Sequence, residues 1–393
     1  MNRRELENIL INNRNCNFIA YGNTVLHACG IDAVVKYLSD KGIELNGYIL
    51  IGEHGVTGRL LSKDNFVTQS EKIKILDINT YEYKDLIGLK KRIKLLFQKS
   101  LHTDKKIFLV KPVLDPDWHV FVQSIFPNEK LVHIIIDDGG ATYENPMVNA
   151  AQYMPLNETN DLKQKLRHPY LKLKLLYRVY YLEFWKRHLE KNNEYICGTI
   201  YKKNVDQKTG DAEFEKNELF SKWYREVFED VSLDISDNII EPFEDSIIIN
   251  TQCFEENKLT DGIVDFKVID SFIKCLEGIN IPVVLKPHPR EIHPEKYESL
   301  GCNVIYEKVS QEKIIAKTKI KPKCIVSFYS SMLFNAYGLF DIPAISLARI
   351  LLKEEISEVL KAELIEFYKN YKSVIYFPED YDELNRLLRE MLR

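Results

Sequence analysis

The sequence predicts an α/β protein of two doubly wound, Rossmann-like domains that face a cleft. Three observations predict it. Short branched apolar runs, such as Ile281-Pro282-Val283-Val284-Leu285, recur with the character of buried parallel strands. Helical spacing fills the segments between them, and such alternation with short loops gives parallel sheets covered on both faces. At 393 residues the chain exceeds one ordinary core, so two domains are expected.

The first half alternates in order. Asn17 to Tyr21 reads as a strand, and Gly22-Asn23-Thr24 opens a helix through Asp32 to Leu38. Gly47 to Gly52 is a second strand, followed by Glu53-His54-Gly55, and Ile73 to Ile78 a third. Leu89 to Lys99 has helical spacing, Lys106 to Val110 is a fourth strand and Trp118 to Phe126 a helix. Leu131 to Ile136 is a strand that ends in Asp137-Asp138-Gly139-Gly140.

The middle differs. Asp161 to Lys191 is long, mostly helical, and mixes basic and aromatic residues, with a break at Pro169. Its aromatics are expected to face a core, and its charges to meet an acidic glycan or an anionic membrane surface. Phe214 to Glu229 reads as a helix. Val231 to Asp245, acidic and containing Pro242, reads as an interdomain connection.

The second half restarts the pattern. Ser246 to Asn250 is a strand ending in Thr251-Gln252, and Val264 to Leu276 is a helix. The apolar run at 281–285 then stops at Lys286-Pro287-His288-Pro289, because proline cannot continue a ladder. Asn303 to Tyr306, a helix at Gln311 to Lys317, the short strand Cys324 to Val326 and a helix from Ser331 to Leu339 follow. Pro343 to Ser346 is a last strand, and Glu383 to Arg393 a terminal helix. The expected domains are 1–235, with a basic helical insert at about 161–192, and 246–375, with the helix in 376–393 packing back on the first domain.

Composition narrows the function. Hydrophobic residues make up 45% and charged residues 28%, as in a globular protein. A net charge of −4 does not suit a general nucleic-acid binder. No run of 18 apolar residues exists to span a membrane. Met1 to Glu7 carries charge with no apolar core after it, so no signal peptide is expected. Seven cysteines without paired spacing fit free thiols in a reducing cytosol and not structural zinc.

Three motifs stand at strand ends, where open α/β sheets bind ligands. Ser330-Ser331 precede an apolar helix. Serine caps a helix start, and the hydroxyls and free N–H groups together can hold a phosphate; a plain cap is the simpler alternative. His288 stands between Lys286 and Arg290, which suits a phosphate neighbour, and a phosphate there would keep the imidazole protonated and able to meet a departing phosphate oxygen. A structural histidine is the alternative. In Asp137-Asp138-Gly139-Gly140 one carboxylate can accept a hydroxyl proton and the other position it, with glycines admitting close approach. A tight turn or a metal site is the alternative, although the DxD spacing is absent.

With these motifs in hand, the chain resembles the bacterial GT-B sialyltransferases, the group that includes polysialyltransferases and lipooligosaccharide sialyltransferases. That group carries an acid-acid-Gly motif in its first domain, then His-Pro, then Ser-Ser. Here Asp137-Asp138-Gly139, His288-Pro289 and Ser330-Ser331 occur in that order. The resemblance implies a GT-B fold and an inverting, metal-independent transfer of sialic acid from CMP-sialic acid to a hydroxyl of a capsular or lipooligosaccharide glycan. It implies Asp138 as general base and His288 as acid or cation at the phosphate. Donor binding would involve Lys286, Pro289, Ser330, Ser331, Thr251 and Gln252, with Glu312 at the ribose. Acceptor binding would involve Asn23, Thr24, Asp137, Gly139 and Gly140. No metal or other cofactor is implied. Placement is expected in the bacterial cytoplasm, with peripheral attachment to the membrane through the basic segment. Two rivals remain. CDP-glycerol phosphotransferases also pair His-Pro with Ser-Ser, but usually carry His-Gly-Thr, where this chain has His54-Gly55-Val56. A catalytically silent glycan-binding protein of the same fold is the other.

Overall fold

A computed structural model describes residues 1–52, 61–68, 70–78, 104–112, 116–138, 180, 184, 187, 195–205, 212–230, 235–260, 263–307 and 309–392. The expected helix at 89–99, Glu53-His54-Gly55, Gly139, Gly140 and most of the basic segment lie outside them. The chain divides into two compact units, Met1–Thr199 with Lys222–Val231, and Ile200–Ser221 with Ser232–Arg393.

The first unit holds a six-stranded parallel sheet. Its strands are β1 (Phe18–Gly22), β2 (Gly47–Ile51), β3 (Ile73–Asp77), β4 (Lys106–Lys111), β5 (Lys130–Ile136) and β6 (Tyr195–Gly198), in the order β3-β2-β1-β4-β5-β6. Phe18 aligns with Gly47 on one side and Phe108 on the other. A Cβ on Gly47 would stand 1.8 Å from the Phe18 carbonyl oxygen, so only glycine lets these strands close. The helix Val25–Asp40 buries ten residues, from His27 to Leu38. On another part of the core, Ile19, Leu50, Ile107 and Leu109 pack with Trp118, Phe121 and Val122 of the helix Pro116–Ile125, and with Leu6 and Leu10 of Arg3–Asn12.

The second unit holds a hairpin and a five-stranded parallel sheet. The hairpin pairs β7 (Tyr201–Val205) with β8 (Ala212–Lys216). The sheet comprises β9 (Ile247–Asn250), β10 (Val283–Lys286), β11 (Asn303–Val304), β12 (Cys324–Ser327) and β13 (Ala344–Ser346), ordered β11-β10-β9-β12-β13. Two parallel, Rossmann-like sheets in one chain are the elements of the GT-B type.

The observed elements depart from the expected ones in several places. Phe214 belongs to β8, and the helix that follows is Glu218–Asp230. The cause is tertiary: Tyr201 and Phe214 meet ring edge to ring face at 6.1 Å, and Tyr201 donates to the Phe334 carbonyl at 2.7 Å. The hairpin is therefore seated on the helix Ser331–Phe340 and groups with the second unit, not with an N-terminal domain ending at 235. Within the expected connection, Asp237–Ile240 and Glu241–Phe243 form helical turns that bury Phe243. Arg3–Asn12, β6 and the helix Glu358–Tyr371 have no counterpart in the sequence reading. The terminal helix, Tyr381–Met391, groups with the second unit, where it packs against Val264–Cys275. In the basic segment Tyr180 and Phe184 are exposed, so the expectation of core-facing aromatics fails for these two. All seven cysteines are free. Among the described residues no helix is long and apolar enough to cross a membrane.

Candidate active site

In the first sheet the strand order reverses between β1 and β4, and ligands of such sheets bind outside the carboxyl ends at that switch. Asn23 and Thr24 leave the end of β1, and Asp137-Asp138 leave β5, one strand beyond β4. Thr24 caps the helix Val25–Asp40, its hydroxyl accepting the His27 N–H at 3.3 Å. The Asn23 N–H donates to Nδ1 of His27 at 3.2 Å. A backbone amide can only donate, so Nδ1 is an acceptor and Nε2 carries the ring proton. That Nε2 lies 2.5 Å from Oδ1 of Asp138. The imidazole is 2% exposed and the carboxylate 31%, which puts the histidine behind and the acid in front.

Asp137 has a different place. It is fully buried, and its N–H donates to the Tyr224 hydroxyl at 2.9 Å. Burial and the neighbouring Asp137 charge hold the Tyr224 phenol protonated, well above its ordinary range. The sequence reading gave Asp137 a part in acceptor binding; the structure makes it interior, with Asp138 alone of the two reaching solvent.

In the second sheet three adjacent strands, β10-β9-β12, bring their carboxyl ends together. Thr251 and Gln252 follow β9, Pro287-His288-Pro289 follow β10, and the turn to Ser330-Ser331 follows β12. The His288 N–H donates to Thr251 Oγ1 at 3.0 Å and to Glu291 Oε2 at 2.7 Å. Glu291 also accepts from the Tyr297 hydroxyl at 2.7 Å and from the Thr251 hydroxyl. Burial pushes its carboxyl above the ordinary value, and these hydrogen bonds pull it back. The Arg290 N–H donates to Nδ1 of His288 at 3.2 Å, which again leaves the ring proton on Nε2. Burial, then the Arg290 charge, lowers the His288 imidazole to about 4, while Glu256 pulls the other way. Without a ligand this ring is neutral near pH 7; the protonated state expected from sequence would require a bound phosphate.

Ser330 is the N-cap of Ser331–Phe340, its Oγ accepting the Met332 N–H at 3.2 Å. The cap uses a lone pair and leaves the O–H proton to donate. The same helix supplies Asn335, whose Nδ2 donates to Glu312 Oε1 at 3.0 Å, while Ser310 donates to Oε2 at 2.6 Å. Glu312 is thereby tied to the serine helix. Phe254 stacks on Tyr329 with ring centroids 5.7 Å apart, joining the turn after β9 to the turn after β12. The Lys286 ammonium donates to the Glu307 carbonyl at 2.6 Å, and burial lowers it below the ordinary range. Pro289 and Arg290 are exposed, and Gln252 is half-buried. An imidazole N–H, serine hydroxyls, a helix start and an exposed guanidinium make this edge fit for an anion.

Sequence reasoning missed His27, Tyr224 and Glu291. For His27 a signal existed, a histidine three residues after a threonine cap, and for Glu291 its place three residues after His288; the partner of Tyr224, Asp137, lies 87 residues away in the chain.

The family model for alpha-2,8-polysialyltransferase (POLYST) matches residues 62–349, most of the chain. The chain belongs to the alpha-2,8-polysialyltransferase family. It is a glycosyltransferase of the sialyltransferase type. No curated protein matches the sequence. Among solved structures, the alpha/beta-galactoside alpha-2,3-sialyltransferase of Photobacterium phosphoreum is similar at 11% identity, with a TM-score of 0.44 over 93% of this chain and 99% of that one. The wall teichoic acid polymerase TagF is similar at 12% identity and a TM-score of 0.44, over 99% and 86% of the two chains. A UDP-GlcNAc 2-epimerase of Methanocaldococcus jannaschii gives 13% identity and 0.40, over 96% and 92%. At these identities the likenesses say nothing about chemistry.

Proposed function

We propose that this polysialyltransferase-family chain moves sialic acid from CMP-sialic acid to a hydroxyl of a surface glycan, inverting the anomeric carbon and using no metal. The observation that carries the reading is that Thr251, bonded to the His288 amide, and the Ser330 helix cap follow three adjacent strands of the second sheet. Such an edge suits the single phosphate of a nucleoside monophosphate sugar.

Asp138 accepts the proton of the attacking hydroxyl, and Asn23 and Thr24 line the same strand edge toward the acceptor. As the acceptor oxygen bonds to the anomeric carbon, the bond to the phosphate oxygen breaks and its electron pair stays with CMP. His288 Nε2–H, the Ser330 and Ser331 hydroxyls and the helix start meet that charge. Glu312 takes the ribose hydroxyls. The family name makes a sialoside the first acceptor to try, and a capsular or lipooligosaccharide chain the natural class.

The test is nucleotide release from CMP-sialic acid and, separately, from CDP-glycerol, with and without lactoside or sialoside acceptors, repeated in EDTA. The reading expects acceptor-dependent CMP release that EDTA leaves unchanged. Release from CDP-glycerol alone would replace it with glycerophosphate transfer, and no release from either would leave a binding protein.

A further inference from the structure

The pair His27–Asp138 carries a role that the motifs do not contain. We propose that His27 is a positioning residue: its Nε2–H holds the Asp138 carboxylate in the orientation in which it accepts the acceptor proton. The assignment rests on the transferase reading above and adds a residue to it.

Four observations support it. The ring is nearly inaccessible while the acid is partly open, so substrate meets the acid and not the ring. Nδ1 is occupied by the Asn23 amide, so the ring can give a hydrogen bond through Nε2 but has no vacant nitrogen to receive a proton. The backbone that carries the ring is itself anchored, since the His27 amide N–H donates to the Thr24 hydroxyl at the start of a buried helix. Finally, the backbone just before Asp138 is fixed independently by Tyr224 on the Asp137 amide. A carboxylate on a short side chain, with its stem and one oxygen both held, has little freedom left. In the step itself the acceptor O–H breaks, its proton passes to Asp138 and its electron pair makes the new bond to carbon. CMP leaves with the pair of the broken bond, and His27 neither gains nor loses a proton.

The experiment compares His27→Gln, which keeps an N–H donor, with His27→Leu and His27→Ala, which do not. Each is made in the wild-type and Asp138→Asn backgrounds. Readouts are kcat and KM with CMP-sialic acid and a sialoside or lactoside, and the thermal midpoint. The expected result is a fall in kcat of about 100-fold for Leu and Ala, of the size that loss of orientation produces. Donor KM should stay within about twofold, and Gln should recover most of the loss. In the Asp138→Asn background the same changes should cost less than about threefold, since a residue acting through Asp138 has nothing left to act on. Equal losses in both backgrounds, or unchanged kcat in Leu and Ala, would overturn the assignment and leave the transferase reading intact. Absence of wild-type turnover would overturn both.

Discussion

His27 Nε2 and Asp138 Oδ1 stand 2.5 Å apart, although 111 residues separate them in the chain. In the proposed transfer it is this partly open acid that takes the acceptor proton. Asp138→Ala is therefore expected to lose about 100- to 10,000-fold in kcat, the usual contribution of a general base. Acceptor-dependent CMP release measures it, and near-normal turnover would remove Asp138 from the mechanism.

Gly30 links packing to the same acid. A Cβ there would stand 2.5 Å from the Tyr224 hydroxyl and 3.0 Å from the Ile136 Cβ. Tyr224 is fully buried and holds the Asp137 amide. Gly30→Ala is expected to lower stability by about 1–3 kcal/mol through overpacking and to reduce kcat. Denaturant midpoints and steady-state kinetics on the same preparation test this; a variant as stable and active as wild type would contradict it.

His288 gives a pH dependence with a definite sign. Its folded value of about 4 lies below the ordinary 6.5. Below 6.5 the unfolded chain takes up a proton that the folded one refuses. The contribution of the neutral ring to stability is thus complete above pH 6.5 and is lost as pH falls toward 4. Relative to His288→Gln, wild type should lose unfolding free energy over that window. Nitrogen chemical shifts of the ring should report the Nε2–H form at pH 7 without ligand. A ring already charged at pH 7 would refute the wiring through Arg290.

Glu291 holds three groups at once: the His288 amide, the Thr251 hydroxyl and the Tyr297 hydroxyl. Glu291→Ala leaves the His288 amide with Thr251 Oγ1 but takes the acceptor from the Thr251 and Tyr297 hydroxyls, and should cost about 1–3 kcal/mol for each hydroxyl that stays buried and unpaired. The turn carrying His288 loosens with it, so kcat should fall more than donor KM rises. Urea unfolding with kinetics separates the two effects, and unaltered kcat would show that the turn keeps its shape without the carboxylate.

The two serines should differ. Ser330→Ala removes a cap that the structure shows in use, and should cost about 1 kcal/mol of stability as well as raising donor KM. Ser331, inside the first turn, should affect donor KM with little change in stability. Equal thermal midpoints for Ser330→Ala and wild type would rule out the capping contribution.

What the sequence determined by itself is local. Apolar runs located β1, β5, β9 and β10, because a buried parallel strand needs branched apolar residues in succession. Ser330 was legible as a cap, and Gln311–Lys317 as a helix, because capping and periodicity act within one or two turns. Strand ends pointed to the Asp137-Asp138 pair and to His288 for the same reason, while the choice of Asp138 within the pair, and of Thr251, came from the family resemblance. What only the tertiary structure decided is who meets whom. Nothing local distinguishes Asp137 from Asp138; the pleat and Tyr224, 87 residues away, bury one and leave the other partly open. Phe214 fits a helix by its neighbours, yet becomes a strand residue because the hairpin seats on Ser331–Phe340. Glu291 with Thr251 and Glu312 with Asn335 join segments 40 and 23 residues apart. Periodicity tells which residues share a face of one element. Strand order decides which faces and ends become neighbours, and no single segment encodes that order.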